Sequence, residues 1–405
     1  MSRYVSHRII ILSIATLIAV CAGAALRTEA ISATKKADVS AQTLAAREGG
    51  RLIQIAICLD TSGSMDGLIE SAKQKLWAVV NDLGQAEPTP KLEVALLTYG
   101  NDSHVPENGW VKVDSPFTVD LDDISERLFA LTTNGGSEYV ARVLHKSESL
   151  QWDPSEAVLK IAVVAGNESA NQDPQFSNVE ICSEFESRGI LINSIYCGPS
   201  EDTVAPSWRD VAVMASGTFA TIDHNDGLVV VESPFDKQLA VLSTRLNETY
   251  IPTGSQGESK AANQMLQDSN AASLGVAAEA ARSCTKASKL YSCSSWDLVD
   301  AVESGKIKLE EVEDKDLPAD LRGLPTSEKA EFVEAKRVMR KSIQSDIVDL
   351  GKKRDQFIRD EISRQGLDES RSFDAALRGA IRKQAETKGF VFPSQEDTAS
   401  SGDGC

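Results

Sequence analysis

The segment Asp60-Thr-Ser-Gly-Ser64 carries the densest chemistry in the chain. One carboxylate and two hydroxyls at alternate positions are hard oxygen donors. They suit Mg2+, with Mn2+ as a competitor, and not soft metals. Gly63 lets the turn bend tightly enough to aim both hydroxyls at one point. The plainer role of Ser62 and Ser64 is to cap a following helix. Elsewhere the chemistry is thinner. His7, His104, His145 and His224 have no partner four residues on, so neither a His-rich metal site nor a Ser-His-Asp triad is visible, although triads assemble in space. Beyond Cys21 there are Cys58, Cys182, Cys197, Cys284, Cys293 and Cys405, and no two have the Cys-x-x-Cys spacing that would suit zinc.

Hydropathy shows what must position these residues. Residues 53–59 are a nearly continuous apolar run of buried-strand type, ending at Asp60. Residues 67–83 place their apolar side chains on one helical stripe. Further strands read at 92–99, 159–165, 190–197 and 218–222, and helices at 121–131, from 140 and at 178–187. Strands alternating with helices predict an α/β fold, a doubly wound and mostly parallel sheet of Rossmann-like type covered on both faces. In such sheets ligands sit beyond the carboxyl ends of the strands, which brings Asp60, Ser62 and Ser64 to the top.

These residues resemble the von Willebrand factor type A family, whose metal-ion-dependent adhesion site opens with Asp-x-Ser-x-Ser. The resemblance runs from near Arg51 to Leu246. It takes in the strand–helix order, the piece Thr133-Asn-Gly-Gly-Ser137-Glu138, and Trp208 to Ile222. Where this chain has Ser137-Glu138 the family usually has Thr-Asp, the Thr hydroxyl being a direct ligand. The resemblance therefore implies that Ser137 supplies that hydroxyl, with Glu138 a longer version of the Asp beside it. One departure stands out. After the strand ending at Ala165 the family has Thr-Asp-Gly, whose Asp is the second carboxylate. Here the run is Ala165-Gly166-Asn167-Glu168, and Gly166 cannot ligate anything. Glu168 either reaches the ion through a water or is an exposed loop carboxylate. This Ala-Gly-Asn-Glu form, the segment Ser295 to Ala301 and the charged helical tail resemble a bacterial subgroup of exported members.

The resemblance implies a metal-dependent protein-binding module of the adhesion or scaffold kind. Mg2+ on Asp60, Ser62, Ser64, Ser137 and Glu168 would keep water in its open positions, and an acidic residue of a protein partner would displace one. With one certain carboxylate the ion should be weakly held alone and strongly coupled to the partner. No base stands beside Ser64 or Cys58, so no enzyme is expected. Two other readings stay open: a metal-free scaffold with a degenerate site, and a hydrolase using Asp60 and Glu168 as a carboxylate pair.

Composition narrows the partners. In 405 residues, 60 acids against 42 bases give a net charge of −18, which argues against nucleic acid, since phosphate binding runs on clustered Lys and Arg. Residues 9–26 are apolar, follow Arg3, His7 and Arg8, and end in small residues. That pattern is an export signal cleaved after Ala30, with an uncleaved anchor or a lipoprotein at Cys21 as alternatives. Each places the rest outside the cytoplasm, in the periplasm, secreted or on the envelope, with membrane contact only through this segment. Export permits disulfides. Cys182, early in its helix, and Cys197, at the end of the next strand, would both lie near the top of the sheet, so a bridge can form there. Cys284 with Cys293 is a looser pair. Asn101, Asn167 and Asn247 begin glycosylation triplets, discounted because the resemblance is bacterial.

The expected organisation is a signal or anchor (1–30), a linker (31–50), a von Willebrand A domain (51–250), a spacer (251–282), a charged α-helical region (283–392) and a disordered tail (393–405). Within the helical region, residues 326–364 read as one long or broken helix with Phe332, Met339, Ile343 and Ile347 on its apolar stripe. Residues 373–388 form a shorter helix folding back on it, in the manner of a coiled coil.

Overall fold

The computed structural model describes residues 51–222, 230–366 and 373–392; the expected leader, linker and tail, and His224, lie outside the described residues. Four apolar runs form the parallel strands β1 (Leu52–Asp60), β2 (Lys91–Tyr99), β4 (Leu159–Gly166) and β5 (Ile190–Tyr196). They are joined by β3 (Lys112–Thr118) and the short β6 (Phe219–Thr221). Strand order is β3-β2-β1-β4-β5-β6, and only β3 runs antiparallel. β3 was not legible because it is polar and carries Pro116, which an edge strand tolerates and an inner strand does not.

Chain crossovers leave β1 in one direction towards β2 and in the other towards β4, so the topological switch point lies between β1 and β4. Register puts Asp60 opposite Tyr99, and Leu59 opposite Ala165, so the three strand ends finish level.

Both faces are covered, which is why the inner strands read as continuous apolar runs. One face packs Ile53, Ile55 and Leu59 under α1 (Asp66–Gly84) and α2 (Leu121–Phe129). The other packs Ala56, Cys58 and Leu97 under α3 (Val140–Glu148), α4 (Asn178–Ser187) and α5 (Ala205–Met214). Cys197 belongs to the first layer and Cys182 to the second. The sheet separates the two thiols, so the expected Cys182–Cys197 bridge is not made; Cys58, Cys182, Cys197, Cys284 and Cys293 are all free.

The C-terminal half differs from expectation in three ways. After α6 (Asp236–Asn247), the stretch expected to be a spacer folds into α7 (Gly257–Ser273) and α8 (Val276–Ala287). α7 shows no apolar period because it buries Gln264, Gln267 and Ala271, and the Gln267 amide oxygen accepts from Ser125 at 2.8 Å. After the short α9 (Leu298–Glu303), the long helix α10 (Thr326–Gln365) buries Val333, Arg340, Ile343 and Ile347, while Phe332 and Met339 are exposed. Arg340 takes the inward place because Asp297, Asp300 and Thr249 pair with it, Nη1 lying 2.6 Å from Asp297. Finally, α11 (Phe373–Thr387) lies against α1, not along α10.

α11 closes the first core layer: Leu377, Ile381 and Ala385 join Trp77 and Leu83 there. Ile381 is 1% exposed. Ile381→Ala should cost about 2–5 kcal/mol, read as a lower urea midpoint at unchanged slope. A chain cut before α11 would lose this layer, so the sheet is best studied in the full chain.

Candidate metal centre at the switch point

Four loops meet above β1, β2 and β4. Thr61 donates both its N–H and its hydroxyl to the Tyr99 carbonyl, at 2.8 and 3.0 Å. The Asn101 amide bridges the carbonyls of Thr61 (3.1 Å) and Thr132 (2.8 Å). Asn134 N–H donates to the Thr61 carbonyl at 3.0 Å. These ties draw residues 61–65, 100–104 and 132–138 over the end of β1, and β4 delivers residues 166–170 from the other side.

Asp60 is fully buried. Its Oδ1 accepts from Ser62 N–H at 2.8 Å, while Oδ2 has no hydrogen-bond partner. The Ser62 and Ser64 hydroxyls are 3.2 Å apart. Neither caps the following helix: α1 has Met65 at its N-cap and no side-chain cap bond. Their plainer role is thus set aside: Ser62 stays with Asp60, and Ser64 with Ser62.

Glu138 is the residue that sequence reasoning undervalued. It is buried, its carboxylate meets both Ser62 and Asp60, and its Oε2 has no partner. Gly100, at φ +73°, makes the room: a Cβ there would stand 2.6 Å from Asp60 Oδ1 and 2.9 Å from Glu138 Cγ. Burial first, and then the neighbouring Glu138 charge, push the Asp60 carboxyl well above its ordinary range. Burial first, and then Glu168, raise Glu138 as well. Two buried carboxyl groups in contact therefore ask for a shared proton or a cation.

The remaining expected ligands fall as follows. Ser137 is half-buried beside Glu138, in the loop whose Gly135 N lies 3.8 Å from where a Cβ on Gly63 would stand. Glu168 is exposed: Oε2 accepts from Gln172 at 2.7 Å, its carbonyl accepts from Trp208 Nε1 at 2.6 Å, and its charge still reaches Glu138. Asn167 faces the site instead. Its Nδ2 donates to Ser64 Oγ at 3.0 Å, and its buried Oδ1 is unpartnered. Gly166 is where it is because the space above it is filled: a Cβ would stand 2.5 Å from the Tyr99 hydroxyl and 3.1 Å from Asp60 Oδ2. The structure thus sets a second buried carboxyl group, that of Glu138, beside Asp60 from a different loop.

Unsatisfied oxygens on Asp60, Glu138 and Asn167, joined through two serine hydroxyls, fit a hard divalent cation. Among the described residues no group of three or more His, Cys, Asp or Glu is placed to hold a metal, so the hydroxyl and amide oxygens must complete any donor set here.

Sheet order, antiparallel edge and an Asp-x-Ser-x-Ser loop at the switch point give the chain a von Willebrand A-like α/β fold. The chain is similar in structure to a von Willebrand factor type A protein from Catenulispora acidiphila, at 18% identity and TM-score 0.32 over 43% of this chain and 39% of that one. It is similar to the SpRpn10 VWA domain at 16% identity and TM-score 0.35, over 44% of this chain and 91% of that one. It is also similar, at 16% identity and TM-score 0.35 over 44% of this chain and 43% of that one, to proximal thread matrix protein 1 from the mussel byssus, solved with a zinc-occupied MIDAS motif. The chain spans about two fifths of the length of the Catenulispora and mussel proteins. No protein-family model and no curated protein matches the chain.

Proposed function

We propose that this chain is an extracytoplasmic, metal-dependent protein-binding module. Asp60 and Glu138 hold a Mg2+-type cation, with Ser62, Ser64 and Ser137 as hydroxyl donors. A protein partner presents an acidic residue to the ion's open position. The observation that carries this reading is the buried Asp60–Glu138 pair, whose outer oxygens have no partner at the carboxyl end of β1. A buried carboxylate pair without a counter-charge is costly, and a bound cation removes that cost. The apolar signal at 9–26 supports the location.

Binding is favoured over catalysis by what surrounds the nucleophiles. Ser64 has Ser62 and Asn167 beside it, neither of them a base. Burial pushes the Cys58 thiol up to about 12, which leaves it unreactive.

Immobilised full-length protein tests the reading on an envelope extract, with Mg2+ and then with chelator. A partner should be retained with Mg2+, released by chelator, and not retained by Asp60→Ala. Retention that ignores both the chelator and the substitution would favour the metal-free scaffold.

A further inference from the structure

A second cluster of reactive groups lies far from the metal centre in the sequence, where α6, α7 and α8 meet. Lys286 on α8 is completely buried. Its Nζ makes a very short contact with Asn247 Oδ1 at the end of α6, and donates to Asp268 Oδ2 at 2.7 Å and Ser243 Oγ at 3.1 Å. The Asn247 amide nitrogen donates to the same Asp268 Oδ2, also at 2.7 Å. One carboxylate oxygen on α7 thus touches both the amine and the amide nitrogen. Arg282 Nε holds the other oxygen of Asp268 at 2.6 Å and so fixes its orientation. Leu239, Leu242 and Leu246 of α6, Ala280 of α8, and Ile343 and Ile347 of α10 form an apolar cluster joining these helices.

A structural ion pair would need only Lys286 and Asp268. An amide group held against a desolvated amine through its oxygen, with one acid touching both the amine and the amide nitrogen, brings together the groups that acyl transfer requires. We propose that Lys286 and Asn247 join through a self-formed isopeptide bond, with Asp268 as the proton carrier.

The step balances without an oxidant or a co-reactant. Lys286 gives a proton to Asp268, and the neutral Nζ attacks Asn247 Cγ. Asp268 passes that proton to Nδ2 as the tetrahedral carbon collapses, and the second proton from Nζ follows it onto Asp268. The Nζ–Cγ bond forms, the Cγ–Nδ2 bond breaks, and ammonia leaves. A cavity of about 180 Å3, lined by Ser243, Thr244, Asn247, Asp268 and Ser269, gives it an exit. Burial works in the same direction by lowering the Lys286 amine below its ordinary value, against the pull of Asp268. The Asn247-Glu-Thr triplet acquires a different meaning: its amide is engaged between an amine and an acid, not offered to a glycan.

Peptide mapping of the purified, folded full chain tests this. The expected product is a branched peptide joining the segments that carry residues 247 and 286, lighter than their sum by one ammonia, with trypsin unable to cut after Lys286. Asp268→Asn keeps the shape and removes the carrier, so it should release two linear peptides and restore cleavage. Separate linear peptides from the wild-type chain, with Lys286 and Asn247 unmodified, would overturn the proposal whatever the variant does. A branched peptide that persists in Asp268→Asn would overturn the role given to Asp268.

Discussion

Arg282→Ala should destabilise the protein by about 3–5 kcal/mol, among the largest effects of any single substitution in this fold. Arg282 is 1% exposed and holds three elements together. Nη1 donates to Asp122 on α2 at 2.8 Å, Nε to Asp268 on α7, and Nη2 to the Gln264 carbonyl at 3.2 Å. Its guanidinium also lies over the Trp77 ring of α1 at 4.7 Å. Removing it strands the Asp122 carboxylate in the interior with only Tyr291 to bond it. That desolvated, uncompensated charge sets the magnitude, more than the lost contacts do. Urea unfolding measures the loss. Arg282→Met with Asp122→Leu should recover much of it, because removing both charges costs far less than removing one. A single substitution that costs no more than a surface change would show that the network is not closed in solution.

Gly166→Asp should fail as a repair. The resemblance invites the substitution, since it restores the family's second carboxylate. The backbone forbids it. The new Cβ would meet the Tyr99 hydroxyl, the Trp208 ring at 3.0 Å and Asp60 Oδ2. Tyr99 cannot give way, because it is fully buried and its hydroxyl donates to the Ala165 carbonyl at 2.9 Å. Overpacking of this kind costs about 1–3 kcal/mol, and here it adds a third acid beside two. The variant should melt lower and bind Mg2+ no better than wild type, as read by thermal unfolding and calorimetry. Tyr99→Phe together with Gly166→Asp should recover part of the stability by removing the nearest obstacle. A stable Gly166→Asp with tighter cation binding would mean that the carboxylate on Glu138 had not replaced the missing one.

How far the residues announced this structure depended on which surfaces they bury. β1 and β4 were legible because both faces of each are covered, so apart from Gln54, Asp60 and Lys160 their positions are apolar or small. α7 was not, because it buries amides and small side chains, and hydropathy does not register a hydrogen-bonded glutamine as interior. α10 misled for the opposite reason: Phe332 and Met339 kept the period, but the buried face was decided by Arg340 and its acids. The candidate metal centre was half legible. Asp60, Ser62 and Ser64 sit next to one another in the chain and emerge from a strand whose burial is plain. Glu138 is separated from them by most of a hundred residues, and nothing in its neighbours says that it turns inward. Beyond the motif that pairs it with Ser137, a signal for its burial was Gly100, a glycine at the end of a buried strand whose missing side chain leaves space for that carboxylate. Glu168 looked the better candidate only because it lies nearer in sequence to the vacant position at Gly166.

The most direct measurement is a calorimetric titration of Mg2+ into the metal-free full chain and into Asp60→Ala and Glu138→Gln. The wild type should bind one ion saturably. Each variant should lose more than the roughly 10–100-fold that removing an outer-shell partner costs. Unchanged affinity in both variants, or no saturable binding by the folded wild type, would contradict a cation held by these two carboxylates.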